Sequence, residues 1–580
     1  MSYPLYRNDL KNWCVEKIGV IGPGIVGMPM AAMLAYSKIR IGQNKPAEVV
    51  VVQRKSNTSG WKVKSINEGK SVIGGIEPEL DRLVETAVKD GILSASDDYN
   101  ILVDADVILV CVQTDKKGLE PDYGPLFEAL TNTAEVLQNK KAGKKPLIII
   151  ESTLGPSSME SIIKPFFAKY GLIEGKDIYL GNSPNRVMPG RLVERIKRSD
   201  KLVAGLNPST PQMISEIYSN IVTEGTLYKT NSLTAEVVKT FENAYRDVRI
   251  AFSAEIANYC DFNNINFYSV RDKVNTLLHQ EDKASNSPNE VPSGGLLIPM
   301  IGVGGHCLPK DGILLWWRKI ESVADTSLSL ILNSRDVNNS SPSESIKLAE
   351  TKFGDISGKR IALLGAAYRF NSEDTRNSPT LVLANELLNK NCDIIIHDPY
   401  VKISDKNLEK YGLTNYFTND LENALDNVDY VILCTAHAQY LDEKENIIKS
   451  STKLKGIFDG CNIYTSNDFV NSNIIYTGIG RGKQDPDDEL VNYVYEGFKL
   501  LEKGVANELF RIIEFLNNKY ASDEFNKIDF KEVQTLAGSC TTGCHIVEPG
   551  TISSIPSKYE NISKLVKCSI NSQAFEEKLI

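Results

Sequence analysis

The sequence has no apolar run long enough to cross a bilayer, which needs about 20 consecutive apolar residues. Its first twelve residues, MSYPLYRNDLKN, are polar and lack the apolar core of a secretion signal. These absences predict a protein that neither spans a membrane nor is exported. We therefore expect a cytoplasmic location and no membrane partner.

The sequence also lacks an excess of positive charge. Asp and Glu outnumber Lys and Arg by 74 to 65 among 580 residues. General nucleic-acid binding draws its affinity from basic side chains on phosphates, so this balance argues against a nucleic-acid partner; a local site for an anionic small molecule stays open. The ten cysteines are spread thinly, several in strand-like apolar runs, as free thiols of a reducing compartment are. The length suggests three to four domains.

A glycine-rich turn follows the first apolar segment. Residues 16–21 (EKIGVI) are typical of a strand, residues 22–27 are GPGIVG, residues 28–36 are typical of a helix, and a second strand is predicted at 48–52. In this order Gly22 permits a tight turn, Gly24 lets a pyrophosphate approach the backbone, and Gly27 lets the helix pack on the strand. We predict a dinucleotide site that also includes Ile25 and Val26. The alternative is a glycine turn without a cofactor.

Two further predicted strands, at 105–112 and 146–151, end in polar turns that contain Thr114 and Thr153. Residues just past the carboxyl ends of parallel strands line the ligand crevice of an open α/β sheet. We therefore predict that both threonines contact the cofactor. The alternative is that they cap the next helix.

One long helix is predicted at 234–261, with an apolar stripe at helical spacing. Lys239, Asn243 and Arg246 share a second, polar face of this helix. That face is either solvated or part of an active-site wall. The polar stretch at 280–293, rich in Asn, Ser and Pro, predicts an inserted loop.

A cysteine stands in a second glycine-rich turn, GVGGHCLPKD, at residues 302–311. Backbone N–H groups exposed on such a turn favour a thiolate and any oxyanion formed when Cys307 attacks a substrate. The alternative is that Cys307 is a packed small side chain.

The second half repeats the α/β organisation of the first half without a second GxGxxG pattern. Strands are predicted at 359–364, 393–397, 429–434 and 456–458, and a long helix at 487–520. The stretch after that helix has no clear periodicity. Its CTTGCH run, at 540–545, has no second ligand pair, so we expect no structural zinc and no metal site.

Taken together, the ordered motifs resemble those of the UDP-glucose/GDP-mannose dehydrogenase family, the nucleotide-sugar 6-dehydrogenases, over roughly residues 16–482. The motifs that carry the resemblance are GPGIVG at 22–27, NEG at 67–69, EPE at 77–79, CVQT at 111–114, EST at 151–153, SPNRVMPG at 183–190, ENAYRD at 242–247 after Lys239, GGHC at 304–307 with Asp311, GAAYR at 365–369, DTRNSP at 374–379 and HDP at 397–399.

The resemblance implies an NAD-dependent four-electron oxidation of a sugar C6 alcohol to a carboxylate. Cys307 would attack the intermediate aldehyde, and the resulting thiohemiacetal would be oxidised to a thioester that water hydrolyses. Lys239 would stabilise negative charge on the C6 oxygen, with Asn243 beside it. Asp311 would orient water or the lysine.

The resemblance also implies a substrate site. Arg369, which replaces an expected lysine, would meet the diphosphate as a forked donor. The remaining predicted substrate residues are Asn185, Arg186, Val187, Arg246, Gly304 and Arg376. The segment 186–190 resembles the UDP-N-acetylhexosamine branch, since the UDP-glucose branch has an apolar aromatic at the position of Arg186. The alternative is that Arg186 only braces the loop.

Three departures from the family pattern stand out. The second strand ends at Gln53 and Arg54, where NAD enzymes usually place a carboxylate for the ribose 2′-hydroxyl; we expect NAD, with NADP open. Asn185 stands where the family usually has a glutamate, and an amide cannot act as the base for thioester hydrolysis. No counterpart is found for the arginine that family members send across a dimer.

The predicted fold class is α/β, with two Rossmann-like doubly wound parallel-sheet domains joined by the long central helix. The domains are predicted at 1–230 for NAD binding, 231–338 for the central helical region, 339–482 for the UDP-sugar and 483–580 for an extension of unknown role. We expect a homodimer, because a helix that is apolar on two sides needs a partner.

The expected substrate is a UDP-N-acetylhexosamine, either UDP-N-acetylmannosamine or UDP-N-acetylglucosamine. The alternatives are a UDP-glucose 6-dehydrogenase and a sugar-nucleotide-binding regulator without turnover, which Asn185 and Gln53 favour. A two-electron hydroxyacid dehydrogenase is a weaker alternative, because it has no use for Cys307.

Overall fold

The computed structural model describes residues 13–187, 189–285, 294–322, 324–449, 452–470, 472–540 and 544–571. The chain forms two compact units. The first unit consists of Met1–Glu242, Ile313–Ala324 and Arg511–Cys544. The second unit consists of Asn243–Gly312, Asp325–Phe510 and His545–Ile580. The sequence-based division into four consecutive domains stays a prediction.

The first unit is built on an eight-stranded sheet. Its strands run in the order β10-β9-β8-β7-β4-β1-β2-β3, and the ranges are β1 (Lys17–Ile21), β2 (Glu48–Val52), β3 (Leu93–Ser96), β4 (Val107–Val110), β7 (Leu147–Ile150), β8 (Tyr179–Asn182), β9 (Lys201–Gly205) and β10 (Leu227–Asn231). A separate two-stranded ribbon is formed by β5 (Asp115–Lys117) and β6 (Glu120–Asp122).

Six of these strands are parallel and follow the Rossmann order, 3-2-1-4-5-6 along the chain. The predicted parallel sheet is confirmed, and it gains β9, which runs antiparallel to β8, and β10. The central strands β1, β2, β4 and β7 are almost entirely apolar because both sheet faces are covered: Val20 belongs to the core on one face and Ile21 to the core on the other.

The helices of this part of the chain are α1 (Gly27–Tyr36), α2 (Trp61–Asn67), α3 (Leu80–Lys89), α4 (Gly124–Leu137), α5 (Lys164–Lys169), α6 (Leu192–Arg198), α7 (Thr210–Tyr218) and α8 (Ser232–Phe262). α8 is the predicted long helix, and it contains the division between the two units.

The second unit contains a six-stranded parallel sheet with the same order of strands as the first. Its strands are β11 (Arg360–Leu364), β12 (Asp393–His397), β13 (Phe417–Thr418), β14 (Tyr430–Leu433), β15 (Gly456–Asp459) and β16 (Ile475–Gly478). The remaining α-helices of the described residues are α9 (Phe267–Ala284), α10 (Leu308–Glu321), α11 (Leu330–Phe353), α12 (Pro379–Asn389), α13 (Lys406–Lys410), α14 (Leu421–Leu425), α15 (Ala438–Asp442), α16 (Lys444–Lys449), α17 (Asp488–Tyr520), α18 (Phe530–Gly538) and α19 (Lys564–Asn571).

One prediction of local structure was wrong, and one stretch without a clear period contains helices. The inserted loop was predicted from residue 280, but α9 continues to Ala284, and residues 286–293 lie outside the described residues. The stretch after α17 contains two helices, α18 and α19, which are too short to show a clear period. α18 did carry a start signal, since the Asp529 side chain accepts a hydrogen bond from the N–H of Glu532. Met188 and residues 541–543 of the CTTGCH run are also outside the described part of the chain.

The chain itself covers the central helix α8 over part of its length. The rings of Phe252 on α8 and Phe498 on α17 lie 6.1 Å apart. Arg249 on α8 forms a buried ion pair with Glu502 on α17, at 3.6 Å. The burial of these side chains therefore does not require a second copy, which removes the physical reason given above for a homodimer.

Within the described residues no helix is both long and apolar enough to cross a membrane.

Candidate active site

The glycine loop lies between β1 and α1. Gly22 has a φ of +88°, and a Cβ on Gly27 would lie only 2.2 Å from the Gly22 carbonyl oxygen. A Cβ on Gly24 would meet no atom within 4 Å. Gly22 therefore makes the turn, Gly27 permits close packing, and the space above Gly24 is open to a phosphate. Ile25 and Val26 are half-buried directly before α1, whose first N–H groups favour an anion.

Gln53 and Arg54 follow β2 at the position where a ribose would lie. Gln53 is 8% exposed, and its Nε2 donates to the Ser59 hydroxyl at 3.0 Å and to the Arg54 carbonyl at 3.2 Å. The amide therefore offers its oxygen, an acceptor that suits a ribose hydroxyl better than a phosphate. The guanidinium of Arg54 lies 2.6 Å from a carboxylate oxygen of Glu128 on α4.

Lys62 is a candidate cofactor residue that the sequence analysis missed. It lies on α2, and its ammonium donates to the carbonyl of Pro23 in the glycine loop, at 3.2 Å. Burial lowers the pKa of Lys62. A cation on this loop suits a pyrophosphate. The available signal was its place five residues before Asn67, the first residue of the NEG motif.

Thr114 and Thr153 lie on the turns that follow β4 and β7. The Thr114 hydroxyl donates to the Thr153 carbonyl at 2.7 Å, so one turn holds the other. Thr114 precedes β5 and not a helix, which removes helix capping as its role. The turns lie at the carboxyl edge of the sheet, where dinucleotides bind in this fold.

Asn185 contacts a buried carboxylate that the sequence analysis placed in the EST motif without assigning it a role. Its Nδ2 donates to Glu151, and its Oδ1 accepts from Lys201 at 3.1 Å. Lys201 is also ion-paired with Glu151 at 3.0 Å, and the Tyr218 hydroxyl donates to the same carboxylate. Burial lowers the pKa of Lys201 although Glu151 opposes that shift. Asn185 is thus held by a charged pair and faces it as both donor and acceptor.

Arg186 forms a buried ion pair with Glu242 of α8. The exposed fractions of the two side chains are 5% and 3%. The guanidinium also donates to the Asp200 carbonyl at 3.2 Å. These contacts favour the alternative that Arg186 braces its loop, and Val187 packs against the core of the first sheet.

Lys239 lies on α8, one turn before Glu242, and is 7% exposed. Burial raises the pKa of Glu242, and the charges of Arg186 and Lys239 oppose that rise. Lys239 and Arg186 therefore act on the same carboxylate, which the sequence placed in a motif without assigning it a role.

In the second unit, the turn that carries Cys307 packs against loops of the six-stranded sheet. A Cβ on Gly304 would lie 2.4 Å from the Tyr368 side chain, and one on Gly305 would lie 2.9 Å from its ring. The Gly305 N–H donates to the Arg376 carbonyl at 2.8 Å. The half-buried Cys307 stands immediately before α10. The N–H groups at the start of that helix suit negative charge on an attacked carbonyl oxygen.

Asn243 and Asp311 are hydrogen-bonded to each other, with the amide Nδ2 donating at 2.6 Å. Asp311 is fully buried and also pairs with Lys310 at 3.0 Å. In this structure Asp311 therefore fixes the amide of Asn243 and neutralises the adjacent lysine. Arg246, three residues further along α8, is half-buried.

The loop after β11 contains Arg369, and two buried side chains hold it. Asp398, at the end of β12, accepts the N–H groups of Ala366 and Ala367 at 2.8 and 2.9 Å. His437, which follows β14, accepts the N–H of Asn371 at 2.8 Å through Nδ1. Its Nε2 lies 3.0 Å from Asp398, so the tautomer that accepts from Asn371 donates to the carboxylate. Both ends of the Arg369 loop are thus fixed at the carboxyl edge of the sheet.

Arg376 is the second predicted arginine of this region. Its guanidinium makes a two-point ion pair with Asp374 through Nε and Nη2. Burial lowers and Asp374 raises the pKa of Arg376, with a net rise. Burial raises the pKa of the neighbouring Tyr368 to about 12, so this hydroxyl stays protonated beside the Cys307 turn.

A dinucleotide loop on one Rossmann sheet and a cysteine turn against a second such sheet indicate a dehydrogenase. Comparison with known proteins identifies the family. Residues 16–222 match the NAD binding domain of the UDP-glucose/GDP-mannose dehydrogenase family, residues 233–340 its central domain and residues 362–466 its UDP binding domain. The chain belongs to this family, which confirms the resemblance found in the sequence.

Named relatives support the same assignment. The UDP-N-acetyl-D-mannosamine dehydrogenase of Pyrococcus horikoshii is 32% identical over 474 residues, which cover 80% of this chain and 99% of that protein. Its solved structure superposes with a TM-score of 0.66 at 31% identity, over 80% of this chain and 99% of the other. The structure of NDP-N-acetyl-D-galactosaminuronic acid dehydrogenase from Methanosarcina mazei gives 0.64 at 30% identity, over 81% and 96%.

The chain is therefore an NAD-dependent nucleotide-sugar dehydrogenase that acts on a CH–OH group of the sugar. The NAD cofactor predicted from the sequence is confirmed.

The Arg54–Glu128 pair generates a prediction about cofactor choice. Glu128→Gln should free the guanidinium for a ribose 2′-phosphate and raise kcat/KM for NADP⁺ severalfold, about 3- to 10-fold, with little change for NAD⁺. Steady-state kinetics with both cofactors measure this. The control is Glu135→Gln, an exposed glutamate on the same helix. An unchanged NADP⁺/NAD⁺ ratio in Glu128→Gln shows that Arg54 does not face the ribose.

Proposed function

We propose that the protein oxidises C6 of a UDP-N-acetylhexosamine, with UDP-N-acetyl-D-mannosamine as the first candidate, to the corresponding uronate. The proposal draws on relatives that bear the name UDP-N-acetyl-D-mannosamine dehydrogenase at about 30% identity over most of their length. It also draws on the resemblance of the segment 186–190 to the UDP-N-acetylhexosamine branch, although Arg186 itself pairs with Glu242 in this structure. UDP-glucose is the alternative substrate.

The observation that carries the proposed chemistry is the Cys307 turn, which holds a half-buried thiol at the start of α10 beside Tyr368 and Arg376. Each of the two oxidations would use its own NAD⁺, which when bound accepts one hydride from C6. The first oxidation converts the C6 alcohol to an aldehyde, with loss of the hydroxyl proton. The Cys307 sulfur then adds to the aldehyde carbon and forms a thiohemiacetal, which still carries a C6 hydrogen.

The second oxidation leaves a thioester on Cys307. Water adds to its carbonyl carbon, the C–S bond breaks, and the sugar carboxylate and the free thiol are the products. The N–H groups at the start of α10 would stabilise the oxyanions of both additions. A serine substituted for Cys307 would be a far poorer nucleophile, because its hydroxyl has a much higher pKa than a thiol.

Lys239 and Asn243 would act on the C6 oxygen as donors. The ammonium of Lys239 stabilises the negative charge that develops there, and Asn243 is pre-oriented by the 2.6 Å hydrogen bond to Asp311. We assign Asp311 to the positioning of Asn243, because the buried carboxylate is already paired with Lys310. Arg246 would be a further substrate contact on the same helix.

Thioester hydrolysis needs a water molecule in a fixed position. Asn185 has no basic group, so its role would be to hold that water by hydrogen bonds. The Glu151–Lys201 ion pair fixes the orientation of the Asn185 amide, because Glu151 accepts from its Nδ2 and Lys201 donates to its Oδ1. Arg369, Gly304 and Arg376 would hold the diphosphate side of the substrate.

A homodimer and a cytoplasmic location stay predictions, and the uronate product would serve as a precursor for polysaccharide or glycan synthesis.

The sugar is tested with a panel of UDP-N-acetylmannosamine, UDP-N-acetylglucosamine, UDP-N-acetylgalactosamine and UDP-glucose. We expect kcat/KM for an N-acetylated sugar, UDP-N-acetylmannosamine first, to exceed that for UDP-glucose by about tenfold or more, because a site built for an amide leaves polar groups unpaired with the simple hydroxyl. UDP-glucose as the best substrate would instead establish the alternative.

Cys307→Ser tests the covalent step. We expect uronate formation to fall by about a hundredfold or more, with binding of the UDP-sugar retained and any turnover stopping at the aldehyde level. Product analysis and isothermal titration calorimetry measure the two quantities. Cys14→Ser, a half-buried free cysteine before β1, is the matched control. Uronate production by Cys307→Ser at the wild-type rate excludes Cys307 as the nucleophile.

A further inference from the structure

The segment that follows α17 has no counterpart in the family domains, the last of which ends at residue 466. Part of it, from Phe525 to Cys540, belongs to the first compact unit, together with the NAD binding domain and Lys239. We call these residues the C-terminal clasp. Six of its residues contact Arg186, Glu242, Asn231 or Thr230, all of which belong to the same unit as the proposed catalytic lysine.

The clasp supplies two of the acceptors of the buried Arg186 guanidinium. Nη2 of Arg186 donates to the Leu536 carbonyl at 2.7 Å, and Nη1 donates to the Ser539 hydroxyl at 2.9 Å. The Ser539 hydroxyl in turn donates to the Leu536 carbonyl at 2.8 Å. A guanidinium has five N–H donors and is costly to bury unless they are satisfied. The clasp therefore stabilises the guanidinium in its position against Glu242.

The clasp also contacts Glu242 itself. The Cys540 side chain hydrogen-bonds to the carboxylate, which Arg186 and Lys239 attract as well. Glu242 is thus shared between a fixed arginine, a thiol and the lysine. A carboxylate has a limited number of acceptor positions. Each hydrogen bond that the clasp donates to Glu242 therefore weakens the interaction of Glu242 with the Lys239 ammonium.

A second set of contacts fixes the start of the helix that carries Lys239. The Asn231 side-chain amide donates to the carbonyls of Phe525 and Lys527, both at 2.9 Å. Its oxygen accepts the N–H of Thr234 at 2.7 Å. The neighbouring Thr230 hydroxyl donates to Glu532 of α18 at 2.8 Å. Asn231 therefore links the clasp to the first turn of α8, two turns before Lys239.

From these contacts we propose that the C-terminal clasp is a positioning element of the dehydrogenase site: Ser539 and Cys540 hold the Arg186–Glu242 pair in the arrangement that leaves the Lys239 ammonium directed at the substrate. The proposal rests on the catalytic role proposed for Lys239. It gives a function to a segment that the family domains lack, and it makes part of the extension a requirement for turnover.

The test compares Ser539→Ala and Cys540→Ala with wild type in the full-length protein, using NAD⁺ and the UDP-sugar that the wild type oxidises fastest in the panel above. We expect kcat to fall by about tenfold in each, while KM for NAD⁺ stays at the wild-type value and thermal unfolding shows that each variant stays folded at the assay temperature. Ser539→Thr and Cys540→Ser, which keep a hydrogen-bonding group, should recover most of the rate. Thr535→Ala is the control and should match wild type. It removes a hydroxyl from an exposed position of α18, the helix that ends just before Ser539.

The same substitutions in a Lys239→Ala background distinguish a clasp that positions Lys239 from a clasp that only stabilises the fold. If the clasp acts through Lys239, Ser539→Ala should lower the residual rate of Lys239→Ala by less than about twofold. Wild-type kcat in both alanine variants overturns the proposal. A tenfold loss that persists in the Lys239→Ala background also overturns it, as does a parallel fall of unfolding midpoint and NAD⁺ binding. An undiminished rate in Lys239→Ala alone refutes the role of Lys239, and with it the basis of the proposal.

Discussion

The turn before Cys307 depends on two glycines, Gly304 and Gly305, because a side chain at either position would clash with Tyr368. The Cβ positions at Gly304 and Gly305 lie 2.4 and 2.9 Å from that residue, and Gly305 has a φ of +87° that other residues rarely adopt. This close approach places the thiol at the start of α10 and against the loops of the second Rossmann sheet. The position of the nucleophile relative to the nucleotide-binding loops of the second unit depends on this single steric condition.

Much of the fold could be predicted from the sequence, because the strands and glycine turns of a doubly wound sheet are determined by short stretches of residues. The strand, glycine turn and helix at 17–36 are local features of the sequence. A parallel sheet that is covered on both faces also needs strands that are continuous apolar runs, and such runs are easy to recognise in a sequence. The residues near Cys307 were likewise found from short motifs. The antiparallel strand β9 and the helices α18 and α19 escaped prediction, since pairing direction is a tertiary property and nine or eight residues show too little of a helical period.

Partnerships between distant residues were the part that sequence could not supply. Arg54 left NADP open in the sequence, but its guanidinium pairs with Glu128, which lies 74 positions away. The lack of a glutamate at Asn185 pointed to a missing base, whereas the structure holds that amide against Glu151 and Lys201. Arg186 was assigned to the sugar, and its ion pair with Glu242 and its bonds to the C-terminal clasp appear only in three dimensions. The clasp and the cover that α17 gives to α8 together make the extension part of the folded enzyme.

The central claim is a four-electron oxidation that passes through a thioester on Cys307, and the yield of reduced cofactor measures it most directly. Limiting UDP-N-acetyl-D-mannosamine is oxidised to completion with excess NAD⁺, NADH is counted by absorbance, and the sugar product is identified by mass spectrometry. The account predicts about two NADH per sugar and a uronate product, because the thiohemiacetal on the cysteine retains a second transferable hydride. One NADH per sugar, with free aldehyde accumulating, contradicts it.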